Sequence, residues 1–151
     1  MSTVKKSDII IRRMTRADID SVLQLDRKIG KGKSHITYKD MVSLDPGGVL
    51  DFSFVAESGG NVVGFILARL MYMGMPFSEF CVINAIDVTD DMQGKGIGRR
   101  LVDEVLDRCQ SEGVNTIRAI FPEKNEKLRK AVVNLGFRRS SIANYDISLE
   151  S

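Results

Sequence analysis

Apolar positions along the chain fall first into period two, then into steps of three and four, and the alternation repeats to the end. Residues 8–14, Asp8-Ile9-Ile10-Ile11-Arg12-Arg13-Met14, predict a first strand. Thr15, with Asp18 three residues on, sits in capping-box spacing ahead of a helix that carries Ile19, Val22, Leu23 and Ile29 on one face. Gly30-Lys31-Gly32-Lys33-Ser34 breaks that helix. A short helix over 37–43 stops at Asp45-Pro46-Gly47-Gly48. Two strands, 52–56 and 62–68, form a hairpin about Glu57-Ser58-Gly59-Gly60-Asn61. An apolar, β-branched strand follows over 81–88, then a helix over 97–111 with Ile97, Leu101, Val102, Val105, Leu106 and Cys109 on one stripe. A strand over 116–121, a helix over 125–135 and an alternating last strand over 141–149 complete the order β-α-α-β-β-β-α-β-α-β. That order, with no repeat or linker, predicts one α/β domain over residues 1–151, its mixed, largely antiparallel sheet flanked by helices.

The segment between strand and helix carries the chemistry. Gln93-Gly94-Lys95-Gly96-Ile97-Gly98-Arg99-Arg100 sets alternating glycines where a strand ends and a helix begins. Such a turn points several backbone N–H groups and the positive helix end at one spot, where phosphate binds, and Lys95, Arg99 and Arg100 add charge there. The spacing excludes two common nucleotide turns. A dinucleotide turn opened by Gly94 and Gly96 requires glycine at position 99, which is Arg99, and a Walker loop requires one at position 89, which is Thr89.

Gln93, Gly96 and Gly98 instead fill, in order, the Q/R-x-x-G-x-G/A pattern, and the turn resembles the acyl-CoA turn of the GNAT family of N-acetyltransferases. Asn125 opening a helix that ends in Gly136-Phe137 resembles that family's later motif. The two motifs span roughly residues 80–140; the earlier half is similar only in its order of elements. The resemblance implies a single-domain acyl-CoA N-acyltransferase fold and transfer of an acetyl group from acetyl-CoA directly to a primary amine. The acceptor stays open among a protein N-terminus, a lysine and a small-molecule amine. A non-catalytic acyl-CoA-binding or sensing module is the alternative.

The bulk properties narrow the partners. The chain has 151 residues, 43% hydrophobic and 28% charged, as expected of a globular domain with its own core. A net charge of +2 is too small to argue for nucleic acid or an anionic membrane as partner, and no apolar run is long enough to span a bilayer. No apolar stretch follows the charged start, so a signal peptide is not expected. Cys81 and Cys109 occupy apolar positions and read as buried free thiols suited to the cytoplasm. His35 has no companions at ligand spacing, so no metal is expected. Monomer and homodimer both remain open.

By the resemblance, the pantetheine arm of acetyl-CoA runs beside Ile86, Asp87 and Val88, with a backbone N–H near Val88 facing the thioester oxygen. The pyrophosphate sits on Gln93, Gly94, Lys95, Gly96, Ile97, Gly98 and Arg99. Asn125 reaches the CoA arm through its amide or serves only as a helix cap. The family's usual glutamate is missing: the corresponding strand offers Val82 and Asn84. Glu79 is the nearest carboxylate, and strand parity opposes it, since only even-numbered residues share the face of Val88 unless a bulge intervenes. The family's tyrosine, seven residues after the Asn, is replaced by Val132, leaving Tyr145 as the candidate acid. Tyr72 with Met71, Met73 and Met75 line an acceptor channel or simply pack, and Arg138-Arg139 offer an anion contact or a solvated pair.

Overall fold

The computed structural model describes residues 8–32, 35–75 and 78–150, grouped in two compact units, Met1–Ile120 and Phe121–Ser151. The first unit contains β1 (Ile9–Arg13), α1 (Ile19–Ile29), α2 (Tyr38–Leu44), β2 (Phe54–Ser58), β3 (Asn61–Tyr72), β4 (Glu79–Val88), α3 (Ile97–Ser111) and β5 (Ile117–Ala119). The second contains α4 (Glu126–Asn134). The sheet runs β1-β2-β3-β4-β5; the first four strands are antiparallel neighbours and β5 lies parallel to β4, so the sheet is mixed and largely antiparallel as the sequence predicts.

Helix starts and stops follow local chemistry. The lead-in to α1 is held by Asp18, whose Oδ2 accepts the Thr15 backbone N–H at 2.8 Å while Arg12 grips the same carboxylate at 2.7 and 2.8 Å. Those bonds, chiefly the one from Arg12, hold the Asp18 carboxyl below the usual carboxylate range. Thr37 caps α2 by accepting the Asp40 N–H at 3.0 Å. α3 ends at Gly113 (φ 74°), where Val114 N–H reaches the Cys109 carbonyl at 2.8 Å and Gly113 N–H reaches Gln110. α4 ends the same way at Gly136, with Phe137 N–H on the Val132 carbonyl.

Two faces of the sheet carry two cores. Met14, Val22, Leu25, Met41 and Leu44, from α1, α2 and their approaches, close over Val55, Phe65 and Leu67. The apolar stripe of α3 (Ile97, Leu101, Val102, Val105 and Cys109) is buried against the opposite face. There Gly64, alternating with Phe65, lets the layers approach: a Cβ on it would lie 3.2 Å from the Asp87 carbonyl, 3.3 Å from Val88 and 3.5 Å from Ile97. Both cysteines are free and buried, as expected.

Some expectations shift. β3 runs to Tyr72, past the predicted end at 68, because Arg69–Tyr72 pair with Glu79–Val82. The hairpin between β2 and β3 tightens to a two-residue turn, Gly59 (φ 58°) and Gly60 (φ 80°), since Ser58 pairs directly with Asn61. The predicted strand over 141–149 does not form, and among the described residues no strand pairs with it. Its apolar members stay exposed, Tyr145 at 93% and Leu149 at 92%. Alternation fixes which side chains share a face and is silent about a partner edge. The break predicted at 30–34 lies partly outside the described residues, at 33 and 34. Among the described residues no helix is long and apolar enough to cross a membrane.

Candidate functional site

The register between β3 and β4 slips once. Leu67 pairs with Ala85 and Ala68 with Ile83, so Asn84 is an extra residue bulged from β4. The same point ends the ladder to β5, which reaches only Cys81, Val82 and Ile83. Beyond it, residues 84–88 have β3 on one side and, among the described residues, no strand on the other. Five residues at about 3.3 Å each make an open ledge roughly 17 Å long.

The ledge empties onto the glycine turn. Gln93 ties the corner, its Nε2 donating to the Val88 carbonyl at 3.2 Å and to Asp90 Oδ1 at 3.3 Å, with buried Met92 beneath. Gly94 and Gly96 both have φ near 77°, a left-handed conformation that a Cβ penalises. Gly96 is the N-cap of α3 and supplies no side-chain cap of the kind that Thr37 gives α2 and Asn125 gives α4, and the first-turn N–H groups of α3 begin at Ile97 and Gly98. At Gly98 a Cβ would touch Ile86 Cδ1 at 4.0 Å, so the helix start lies directly against the ledge. Lys95 is half-buried at the turn, and Arg99 is half-exposed beside Asp103 at 3.3 Å. Arg100, expected to add charge here, instead donates to the Ile9 carbonyl at 3.0 Å and binds α3 to β1.

Ile86, Asp87, Val88 and the turn from Gln93 to Arg99 are therefore brought together in one unit. Glu79 is carried by the bulge onto the face of Ile86 and Val88, since Tyr72, Ala68, Ile66 and Gly64 pair in turn with Glu79, Ile83, Ile86 and Val88. Parity thus ceases to oppose it, but it stands five residues before Asn84, about 16 Å along the strand, and is exposed. Asn125 belongs to the second unit and caps α4, accepting the Leu128 N–H at 3.1 Å. Tyr145 belongs to that unit as well, and Val132 there is buried. Sequence reasoning missed Asn84 as the point where the strand opens, and Gly64 as the close approach behind it. The lone glycine inside an apolar strand was the one available signal.

Comparison with known proteins places this architecture. The profile of the acetyltransferase (GNAT) family matches residues 20–137. An uncharacterised N-acetyltransferase of Methanocaldococcus jannaschii is 24% identical over 143 residues, covering 87% of this chain. The chain spans 62% of that relative's length. Among solved structures, the aminoglycoside N-acetyltransferase AAC(6′)-Iy in complex with CoA superposes with a TM-score of 0.76 at 18% identity, over 93% of this chain and 95% of that one. A ribosomal-protein-alanine N-acetyltransferase from Brucella melitensis gives 0.73 at 20%, over 93% and 99%. At those identities the superpositions speak for the fold; the matched profile, covering most of the sequence, speaks for more. The chain belongs to the acetyltransferase (GNAT) family.

Proposed function

We propose that the protein transfers the acetyl group of acetyl-CoA to a primary amine. The observation that carries this reading is the open ledge of β4 running into the uncapped start of α3. A pyrophosphate on the N–H groups at the α3 start, from Ile97 and Gly98 onward, takes the place of a side-chain cap, with Lys95 and Arg99 adding charge. The pantetheine arm lies along residues 84–88 as an added strand, bonding the outward backbone groups of Ile86 and Val88 and passing Asp87, whose own groups face β3. The ledge length matches an extended arm, which brings the thioester toward the bulge.

The amine nitrogen attacks the thioester carbonyl, a backbone N–H of the ledge stabilises the oxyanion, and the C–S bond breaks to release CoA thiolate. The amine proton leaves to solvent or to a protein group. Glu79 is the proposed base, acting through water given its distance, and Tyr145 the proposed acid for the thiolate. The bound arm and Asn125 are proposed to meet through the Asn125 amide. The family match crosses the boundary between the two units, which supports reading residues 1–151 as one domain. Free buried thiols suit a cytoplasmic location.

Calorimetric titration with acetyl-CoA, NAD and ATP, followed by CoA release with a panel of amines, tests the reading. Binding of acetyl-CoA alone with amine-dependent CoA release supports it. NAD binding without a CoA signal contradicts the turn assignment, and CoA binding without release to any amine leaves a sensing module.

A further inference from the structure

Two arginines flank the strand just above the ledge. Arg69 on β3 pairs with Val82, and Val82 pairs with Arg118 on β5, so the three side chains form one row across the sheet on one face. Neighbouring strands lie about 4.8 Å apart, which sets the two arginine backbones roughly 10 Å from each other with an apolar residue between them. Val82 is two residues from Asn84, about 7 Å from where the ledge opens.

Neither arginine is neutralised: among the described residues no carboxylate pairs with Arg69 or Arg118. Arg69 spends Nη1 on the Ser43 carbonyl at 3.2 Å, and its Nε is buried with no hydrogen-bond partner. Arg118 lays its guanidinium over the Phe80 ring, 4.3 Å from the centroid, which fixes the plane of the fork and leaves its edges to donate. A buried donor left unpaired costs free energy, and two uncompensated like charges on one row cost more. An anion on the Val82 row meets the outer donors that both forks have left and neutralises the two charges. A planar carboxylate offers two oxygens to two forks.

We propose that Arg69 and Arg118 bind the carboxylate of the acceptor, and that the acceptor is a small amine of amino-acid type. This rests on the transferase reading above and adds the acceptor's class. The carboxylate sits over Val82, and the amine on a neighbouring carbon faces the thioester near the bulge. The row also repels polycations such as polyamines. Positive charge beside the ammonium lowers its pKa, supplying free amine on a strand that carries no base at position 82 or 84.

The test compares kcat/KM for acetylation of the twenty amino acids, their C-terminal amides, phosphoethanolamine and spermidine. One amino acid or more is expected to exceed its own amide by about tenfold to a hundredfold, the worth of one or two charge-assisted hydrogen bonds. That ratio falls toward one in Arg118→Gln and in Arg69→Gln, with Arg69→Lys keeping part of it. Acetyl-CoA titration of each variant verifies that it is folded. Equal turnover of acid and amide, or a best rate with phosphoethanolamine or spermidine, overturns the proposal. If acetyl-CoA binds and no amine is acetylated, the transferase reading fails instead. The arginine row is then judged by calorimetry with N-acetyl amino acids against N-acetyl amino-acid amides, where tighter binding of the acids, lost in Arg118→Gln, supports it and equal binding overturns it.

Discussion

The starts of α3 and α4 differ in one residue's chemistry. α4 opens on Asn125, whose Oδ1 takes the Leu128 N–H at 3.1 Å. α3 opens on Gly96, which brings no side chain and holds φ 77°. Thr37 caps α2 in the same way as Asn125 caps α4, while α1 and α3 both begin without a side-chain cap, and of those two only α3 begins on a glycine. A cap closes a helix for the sake of stability. A bare glycine start gives up a few tenths of a kcal/mol of that stabilisation and keeps the donors for a ligand.

The comparison breaks most sharply at Gly96. Gly96→Val places a β-branched residue at positive φ and a side chain where pyrophosphate approaches; acetyl-CoA affinity is expected to fall by about a hundredfold or more. Undiminished affinity by calorimetry in a folded variant refutes the placement. Next in size is Tyr145→Phe, with kcat lowered about tenfold and KM for acetyl-CoA little changed if its hydroxyl protonates the thiolate. Unchanged turnover assigns that proton to water. Glu79→Gln is expected to cost a few-fold at neutral pH, recovered at higher pH as free amine accumulates, because a carboxylate so far along the strand acts only through solvent. A pH–rate profile identical to the parent's removes Glu79 from the mechanism.

The mirror experiment on α4 has the smallest effect on binding. Asn125→Ala removes a cap and is expected to cost about 1 kcal/mol, or about 2–4 °C in Tm for a chain of this size. A rise in KM for acetyl-CoA beyond tenfold, without that loss of stability, gives Asn125 a CoA contact. At α1 the sign of the pH dependence follows from Asp18. Its folded pKa is depressed by Arg12, so its contribution is present above the ordinary carboxylate range and is lost as pH falls below it. Arg12→Gln should therefore lower stability near neutrality and flatten the acid limb of a denaturation profile; an unchanged limb shows that the pair does not stabilise the fold.

Much of this was legible in the residues. α3 was bounded at 97–111 because glycines stand at both of its ends, and α4 by Asn125 and Gly136. The glycine turn announced its own chemistry, since alternating glycines at a helix start serve few other purposes. The bulge at Asn84 was hidden because β4 is apolar on both faces, so a slip of one residue leaves no mark on the alternation. The arginine row was hidden for a related reason: Arg69 and Arg118 lie 49 positions apart, and only the pairing of three strands makes them neighbours. The end of the chain failed in the opposite direction. Residues 141–149 alternate well and find no partner edge among the described residues, and a strand is defined by its partner as much as by its pattern.

The α3 start and the β4 ledge are proposed to be reserved for the phosphate and arm of acetyl-CoA. Amide chemical shifts and hydrogen-exchange rates, followed residue by residue during titration with acetyl-CoA, test this most directly. The N–H groups of Ile97, Gly98 and Arg99, with those of residues 84–88, should shift and gain protection, while the Leu128 N–H on its Asn125 cap stays as it was. Saturable acetyl-CoA binding that leaves the α3 start and the ledge unchanged would contradict the account.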